Sequence, residues 1–183
     1  MDIIFERLPN NKFEIPKFAT EHSAGLDLSA CLTRQCKIAH SNGEKTNFFA
    51  TDDSKKRTYD VLVGPYSYPI PENPIITIIP NETIMVPLGF KCQFDNDYVG
   101  QLYLRSSIGL LGLMLANGVG IIDSDFRGEW VACLYNRTSK PIVIKHGQRI
   151  VQVIFIKCFK CNISETKVTE SKRGDGGFGS TGL

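Results

Sequence analysis

The chain has 183 residues, of which 42% are hydrophobic, 22% charged and 10% aromatic, values of a globular protein that exclude a fibrous or wholly disordered chain. A domain of this length buries roughly 70% of its unfolded surface, enough for one core without disulfide or metal staples. Lys plus Arg number 21 against 19 Asp plus Glu, a net charge of +2, which argues against a nucleic-acid coat or a polybasic membrane anchor but allows a local basic cluster for a small polyanion.

In chain order, the start MDIIFERLPNN carries acids where a secretory signal has a basic region, and it has no long apolar stretch. No apolar run reaches the ~18 residues of a membrane-spanning helix. These features predict an intracellular protein, cytoplasmic or nuclear, with no membrane and no nucleic acid as partner. The apolar segments that follow are short, β-branched and separated by Gly, Pro and Asn, the pattern of strands. Strands are predicted over 3–5, 24–30, 75–79, 83–90, 98–104, 129–136, 141–144 and 149–156. The one stretch suited to a short helix is SSIGLLGLMLAN, directly after Arg105, with Gly109 and Gly112 limiting its length. An all-β barrel or double-sheet roll follows from this series.

Two regions depart from the strand pattern. Residues 33–73 are polar and mixed in charge, with TDDSKKR in the middle and the Pro-rich GPYSYPIPENP at the end, and are predicted to be a surface excursion inserted between core strands. In the tail ESKRGDGGFGSTGL, residues 174–182 carry five glycines and a single buriable side chain, Phe178, and the segment is predicted to stay flexible until a ligand orders it. The six cysteines are scattered and read as free thiols; Cys158-x-x-Cys161 lacks the second half of a zinc site. Sequons at Asn81, Asn136 and Asn162 read as chance occurrences.

Four groups of residues carry chemistry. GDGGFGST can converge backbone N–H groups and hydroxyls on an anion; it lacks the Lys of a nucleotide P-loop, and no helix can follow it. Arg105-Ser106-Ser107 places a cation and two hydroxyls just past a strand. In NGVGIIDSDFRG, glycines and a turn-forming Asp-Ser-Asp lie between apolar strands, as in a β-hairpin whose backbone can bond a flat base edge while an Asp orients water. Asp27 stands inside an apolar strand, a costly place for a carboxylate without a cation or other partner.

Taken in series, AGLDLSA, RSS, NGVGIIDSDFRGE, GQRIVQVIF and RGDGGFGSTG resemble the five motifs of the trimeric deoxyuridine triphosphate nucleotidohydrolases, or dUTPases. The resemblance runs from about residue 13 to the end and leaves out only the excursion. It implies a jelly-roll type β-barrel over 1–172, a short helix after the second motif, a mobile glycine-rich arm over 173–183, and homotrimers with active sites at subunit interfaces. The implied reaction is hydrolysis of dUTP to dUMP and diphosphate by water attack on the α-phosphorus, assisted by Mg²⁺, which supplies dUMP for dTMP synthesis and keeps uracil out of DNA.

By the same resemblance Asp123 is the catalytic carboxylate that activates water. Asn117 contacts uracil, and the backbone of Gly120, Ile121 and Ile122 pairs with its amide edge. Arg105, Ser106, Ser107 and Gln152 bind phosphates, while Asp27 holds the metal through water. Arg173 grips the γ-phosphate, Phe178 covers the uracil, and Gly179, Ser180 and Thr181 close on the phosphate chain. Phe126 stands where the family has a Tyr under the deoxyribose, so the ring is kept and the phenol oxygen is not. The related dCTP deaminases carry a catalytic Glu where this chain has Cys133, which removes the proton shuttle for deamination. A nucleotide-binding regulatory protein acting on a partner through the insertion is the alternative reading.

Overall fold

Alternating burial along each strand builds the molecule. In the computed structural model, which describes residues 1–50, the strand at 58–59 and residues 72–177, the elements in chain order are β1 (Ile3–Arg7), β2 (Leu26–Ser29), β3 (Cys36–Ala39), β4 (Lys45–Phe49), β5 (Thr58–Tyr59), β6 (Ile75–Ile78), β7 (Thr83–Pro87), β8 (Phe90–Phe94), β9 (Tyr98–Leu104), α1 (Ser106–Leu110), β10 (Leu113–Leu115), β11 (Gly120–Ile122), β12 (Val131–Asn136), β13 (Ile142–Lys145) and β14 (Arg149–Lys157). A six-stranded sheet in the order β10-β12-β7-β3-β4-β5 and a four-stranded sheet in the order β11-β9-β14-β2 carry most of them, with the pairs β1-β8 and β13-β6 completing the roll. Every strand pairing among the described residues is antiparallel. This is the all-β architecture that the residue pattern implied, of the jelly-roll type that the resemblance implied.

One continuous core fills the space between the sheets. Trp130 is its largest fully buried side chain, meeting Phe5 edge-on at 6.0 Å, while Phe5 meets Phe90 in the same way at 5.9 Å. The cysteines serve this core as small apolar groups: Cys31, Cys36 and Cys92 are buried, and burial pushes the Cys92 thiol up to about 12. Asn136 is the polar exception. It is fully buried with every hydrogen-bonding group used: Nδ2 donates to the carbonyls of Ile78 and Lys140, both at 2.8 Å, and Oδ1 accepts from the N–H and hydroxyl of Thr138. The Asn of that sequon ties the end of β6 to the 136–140 turn.

Three expectations need correction. The excursion predicted at 33–73 does not begin at 33: β3 and β4 extend the six-stranded sheet, with Cys36 and Phe48 fully buried and Ile38 at 8% exposure. Alternate polar residues at Lys37, Lys45 and Asn47 dilute the apolar signal of strands whose other face is core. The strand predicted over 83–90 is two. It breaks at Gly89, whose φ is +77° and whose missing Cβ leaves room for Cys31 Sγ, 2.7 Å from where that atom would stand. Finally, a strand that was not predicted follows the expected short helix: α1 takes the first five of the twelve residues of SSIGLLGLMLAN, Gly112 at φ +93° ends the turn, and Leu113–Leu115 joins β12 as β10.

Candidate active site

Strand register brings the first, second and fourth motifs together. In the four-stranded sheet Gln152 of β14 lies opposite Asp27 of β2 on one side and Tyr103 of β9 on the other. Odd positions of β9 face outward, so Arg105, one residue past its end, emerges on the same face and starts α1, with Ser106 and Ser107 in its first turn. The result is an open cleft of about 490 Å³ lined by Gly25, Asp27, Arg105, Ser106, Ser107 and Gln152, among others. Gly25 is needed for it: a Cβ there would stand 2.9 Å from Gln152 Oε1 and 3.3 Å from the Val153 carbonyl oxygen. Cationic, hydroxyl and amide donors on one wall suit a chain of phosphates.

Asp27 is not left waiting for a metal. Arg105 Nε lies 2.8 Å from its Oδ1 and Arg149 Nη1 lies 3.0 Å from its Oδ2, so two guanidinium groups already offset the cost of a half-buried carboxylate. They are the cationic partners that a carboxylate inside an apolar strand requires. Arg149 is the site residue that sequence reasoning missed. Alternation counted back from Gln152 would turn Arg149 inward, but a bulge between Arg149 and Val151 buries Ile150 and Val151 in succession and returns Arg149 to the outer face. Two adjacent apolar residues before Gln152 were the available signal.

A metal at Asp27 would need oxygen ligands from elsewhere, since no group of three His, Cys, Asp or Glu side chains gathers among the described residues. That donor set fits Mg²⁺, which keeps its waters and binds through one or two carboxylates plus substrate phosphates. Each oxygen of Asp27 retains lone-pair capacity for a metal-bound water beyond its guanidinium contact.

The third motif lies elsewhere on the sheet. β11 pairs with β9, Ile122 opposite Gly100 and Gly120 opposite Leu102, and with neither β10 nor β12. The expected hairpin is therefore absent; β11 is an edge strand, and its outer side is unpaired among the described residues. An edge strand presents a row of N–H and C=O groups, which is what pairing with a flat base requires. Asn117 is exposed just before it, in a turn where the Val119 N–H donates to the Asn117 carbonyl at 2.8 Å and Gly118 adopts φ +69°. Ile121 points outward, 57% exposed, and Ile122 inward.

Past β11, residues 123–126 form a turn closed by the Phe126 N–H donating to the Asp123 carbonyl at 3.1 Å, with Arg127 Nη1 donating to the Ser124 carbonyl at 2.7 Å. Asp123 is exposed in a cleft of about 640 Å³ that it shares with Asn96, Tyr98, Ser124, Asp125 and Lys160. It does not share the cleft of Arg105 and Gln152. Four residues of strand rise and two strand spacings separate Asp123 from Gln152 by about 16 Å. Within one chain the carboxylate and the phosphate wall are apart.

Arg173 is exposed, and its Nε donates to the Gly176 carbonyl at 2.8 Å within its own segment, so it reaches neither cleft. Phe178, Gly179, Ser180 and Thr181 lie outside the described residues.

Known proteins share both the sequence pattern and the fold. A family model for dUTPase matches residues 71–182. The chain is 31% identical over 186 aligned residues to the deoxyuridine 5'-triphosphate nucleotidohydrolase of Neisseria meningitidis serogroup A, the match covering 100% of this chain and 95% of that one. Among solved structures, the dUTPase of Staphylococcus bacteriophage 80alpha with dUPNHPP superposes with a TM-score of 0.66 at 16% identity, covering 100% of this chain and 99% of the other. A mutant dUTPase of phage phi11 of S. aureus, described for its coordination of a structural Mg(II) ion, gives 0.63 at 13% identity, covering 93% and 100%. At those identities the two structures speak for the fold alone.

Proposed function

The chain belongs to the dUTPase family and is a dUTP nucleotidohydrolase, and from that premise we propose that it cleaves dUTP to dUMP and diphosphate at sites assembled between the subunits of a homotrimer. The observation that carries this reading is the separation of Asp123 from the wall of Arg105, Ser106, Ser107 and Gln152 within one chain. Substrate must touch both. A second subunit's edge strand and Asp123 turn, laid across the phosphate wall of the first, provide both in one place, and closed symmetry repeats the arrangement.

In that assembly the outer edge of Gly120–Ile122 bonds the uracil amide edge, with Asn117 beside it. Cytosine carries the reverse donor and acceptor order and leaves those groups unpaired, so it is rejected. The Phe126 ring packs against the deoxyribose. Arg105, Ser106, Ser107 and Gln152 hold the phosphate chain in line, and Arg173 adds a cation when the arm of Phe178, Gly179, Ser180 and Thr181 folds over. Asp123 takes a proton from the water aimed at the α-phosphorus. A Mg²⁺ carried by the triphosphate, its water held by Asp27, would neutralise charge on the diphosphate leaving group. The product is the dUMP needed for dTMP synthesis, and removal of dUTP keeps uracil out of DNA.

Subunit complementation tests the shared site. Asp123→Asn and Arg105→Ala are each expected to be inactive; unfolded together and refolded, they should recover about a quarter of wild-type activity, because random mixing yields sites with both residues intact. Mixtures as inactive as their parents would sink the shared-site reading.

A further inference from the structure

Gly128 is the residue that seats the Phe126 ring. The segment around it is fixed at both ends. On one side the 123–126 turn hangs from β11; on the other, Glu129 accepts from Arg34 Nε at 2.6 Å and from the Gly89 N–H at 3.2 Å, and Trp130 bonds the backbone of Phe90 and Leu88. Between these anchors the ring folds back over its own chain onto the open face of Gly128. A Cβ at 128 would stand 2.8 Å from Phe126 Cε2, 3.2 Å from Cε1 and closer still to Cζ. Ordinary carbon contacts lie near 3.5 Å or beyond, so any side chain at 128 displaces the ring by about 1 Å.

The backbone does not itself demand glycine at this position, because Gly128 lies outside the left-handed region. What would move is an aromatic side chain that is 42% exposed and holds no part of the core together. The expected cost in stability is therefore small and the expected effect on ring position large. Asp123 shares the turn with that ring, and its backbone is tied by the hydrogen bonds above, so the ring shifts relative to the carboxylate.

We infer that Gly128 is a specificity-determining positioning residue, which by lacking a side chain holds the Phe126 ring at the height where it accepts a deoxyribose and excludes a 2′-hydroxyl. The inference rests on the proposed role of Phe126 as the sugar wall. A hydroxyl on the ribose needs room of the same order as the shift that a methyl group at 128 would impose, and misplacement by about 1 Å can change rates by up to ~10²-fold.

Diphosphate release from dUTP and from UTP, followed for wild type, Gly128→Ala, Phe126→Ala and the double variant, tests it. Gly128→Ala should lower the dUTP to UTP ratio of kcat/KM by about tenfold or more, mainly through KM, with a melting temperature close to that of wild type. Because Gly128 acts through the ring, adding Gly128→Ala to Phe126→Ala should change nothing further. A ratio unmoved by Gly128→Ala but moved by Phe126→Ala overturns the inference, as does an additive double variant. Should Gly128→Ala fail to fold, the double variant lacks the clash and folds; if it also fails, Gly128 is a backbone requirement and the inference falls. A ratio unmoved by Phe126→Ala removes the sugar-wall reading itself, a result distinct from the others, and the role of Gly128 goes with it.

Discussion

Asp27 and Asp123 keep opposite company. Asp27 lies within β2, opposite Gln152 of β14, with its side chain 18% exposed and both oxygens bonded to guanidinium groups. Asp123 stands at a turn beyond an edge strand, exposed, and among the described residues no donor is bonded to its carboxylate. The difference separates two tasks. A carboxylate that aligns cations has to be fixed before the substrate arrives, whereas one that receives a proton from water must keep an oxygen available until water and phosphorus are in place.

The contrast is broken most directly at Asp123. Asp123→Asn keeps the shape and removes the base, so kcat should fall by about 10²–10⁴-fold while binding of a non-hydrolysable dUTP analogue, measured calorimetrically, is retained. Near-normal turnover would mean that the exposed carboxylate is a bystander. Asp27→Ala should act differently. It leaves Arg105 and Arg149 without their shared counter-charge, and kcat/KM should fall by about 10–100-fold through loss of substrate and Mg²⁺ affinity. Titration of activity with Mg²⁺ measures that shift, and an unchanged Mg²⁺ dependence would confine Asp27 to a structural role.

The smallest effect sharpens the contrast with pH. His146 precedes β14, its Nδ1 accepting the Leu32 N–H at 3.1 Å and its ring stacked on Phe13 at 4.8 Å, close to where β2 and β14 hold Asp27 and Arg149. Burial keeps the imidazole below its ordinary value, outweighing a backbone hydrogen bond with Ala30 that pulls upward. The neutral ring is thus the folded form. Its contribution to stability is complete above the free-histidine value of about 6.5 and is lost as pH falls below it. Melting temperature should decline from about pH 7 to about pH 5 more in wild type than in His146→Gln, whose amide oxygen can still accept the Leu32 N–H. Equal declines would acquit the histidine.

Legibility differed between the two ends of the site. Asp123 and Asn117 are named by the motif series, and the exposed turns on which they stand follow from the glycines and the Asp-Ser-Asp run of the local sequence. Gln152 and Arg105 could be placed on the outer face by strand alternation. Arg149 could not, because one bulged residue inverts the alternation. Nor could the membership of 36–49 in the main sheet, where three polar side chains on the outer face hide Cys36, Ile38 and Phe48 on the inner one.

Sequence alone determined which residue types the chain offers to a nucleotide, the β character of its segments and the order in which its motifs arrive, since each is written in neighbours a few positions apart. Tertiary structure decided which motifs meet. Pairing between strands distant in sequence set Asp27, Arg105 and Gln152 against one cleft and carried Asp123 to another. That outcome depends on register and on a bulge, and neither leaves a periodic trace in the residues that obey it.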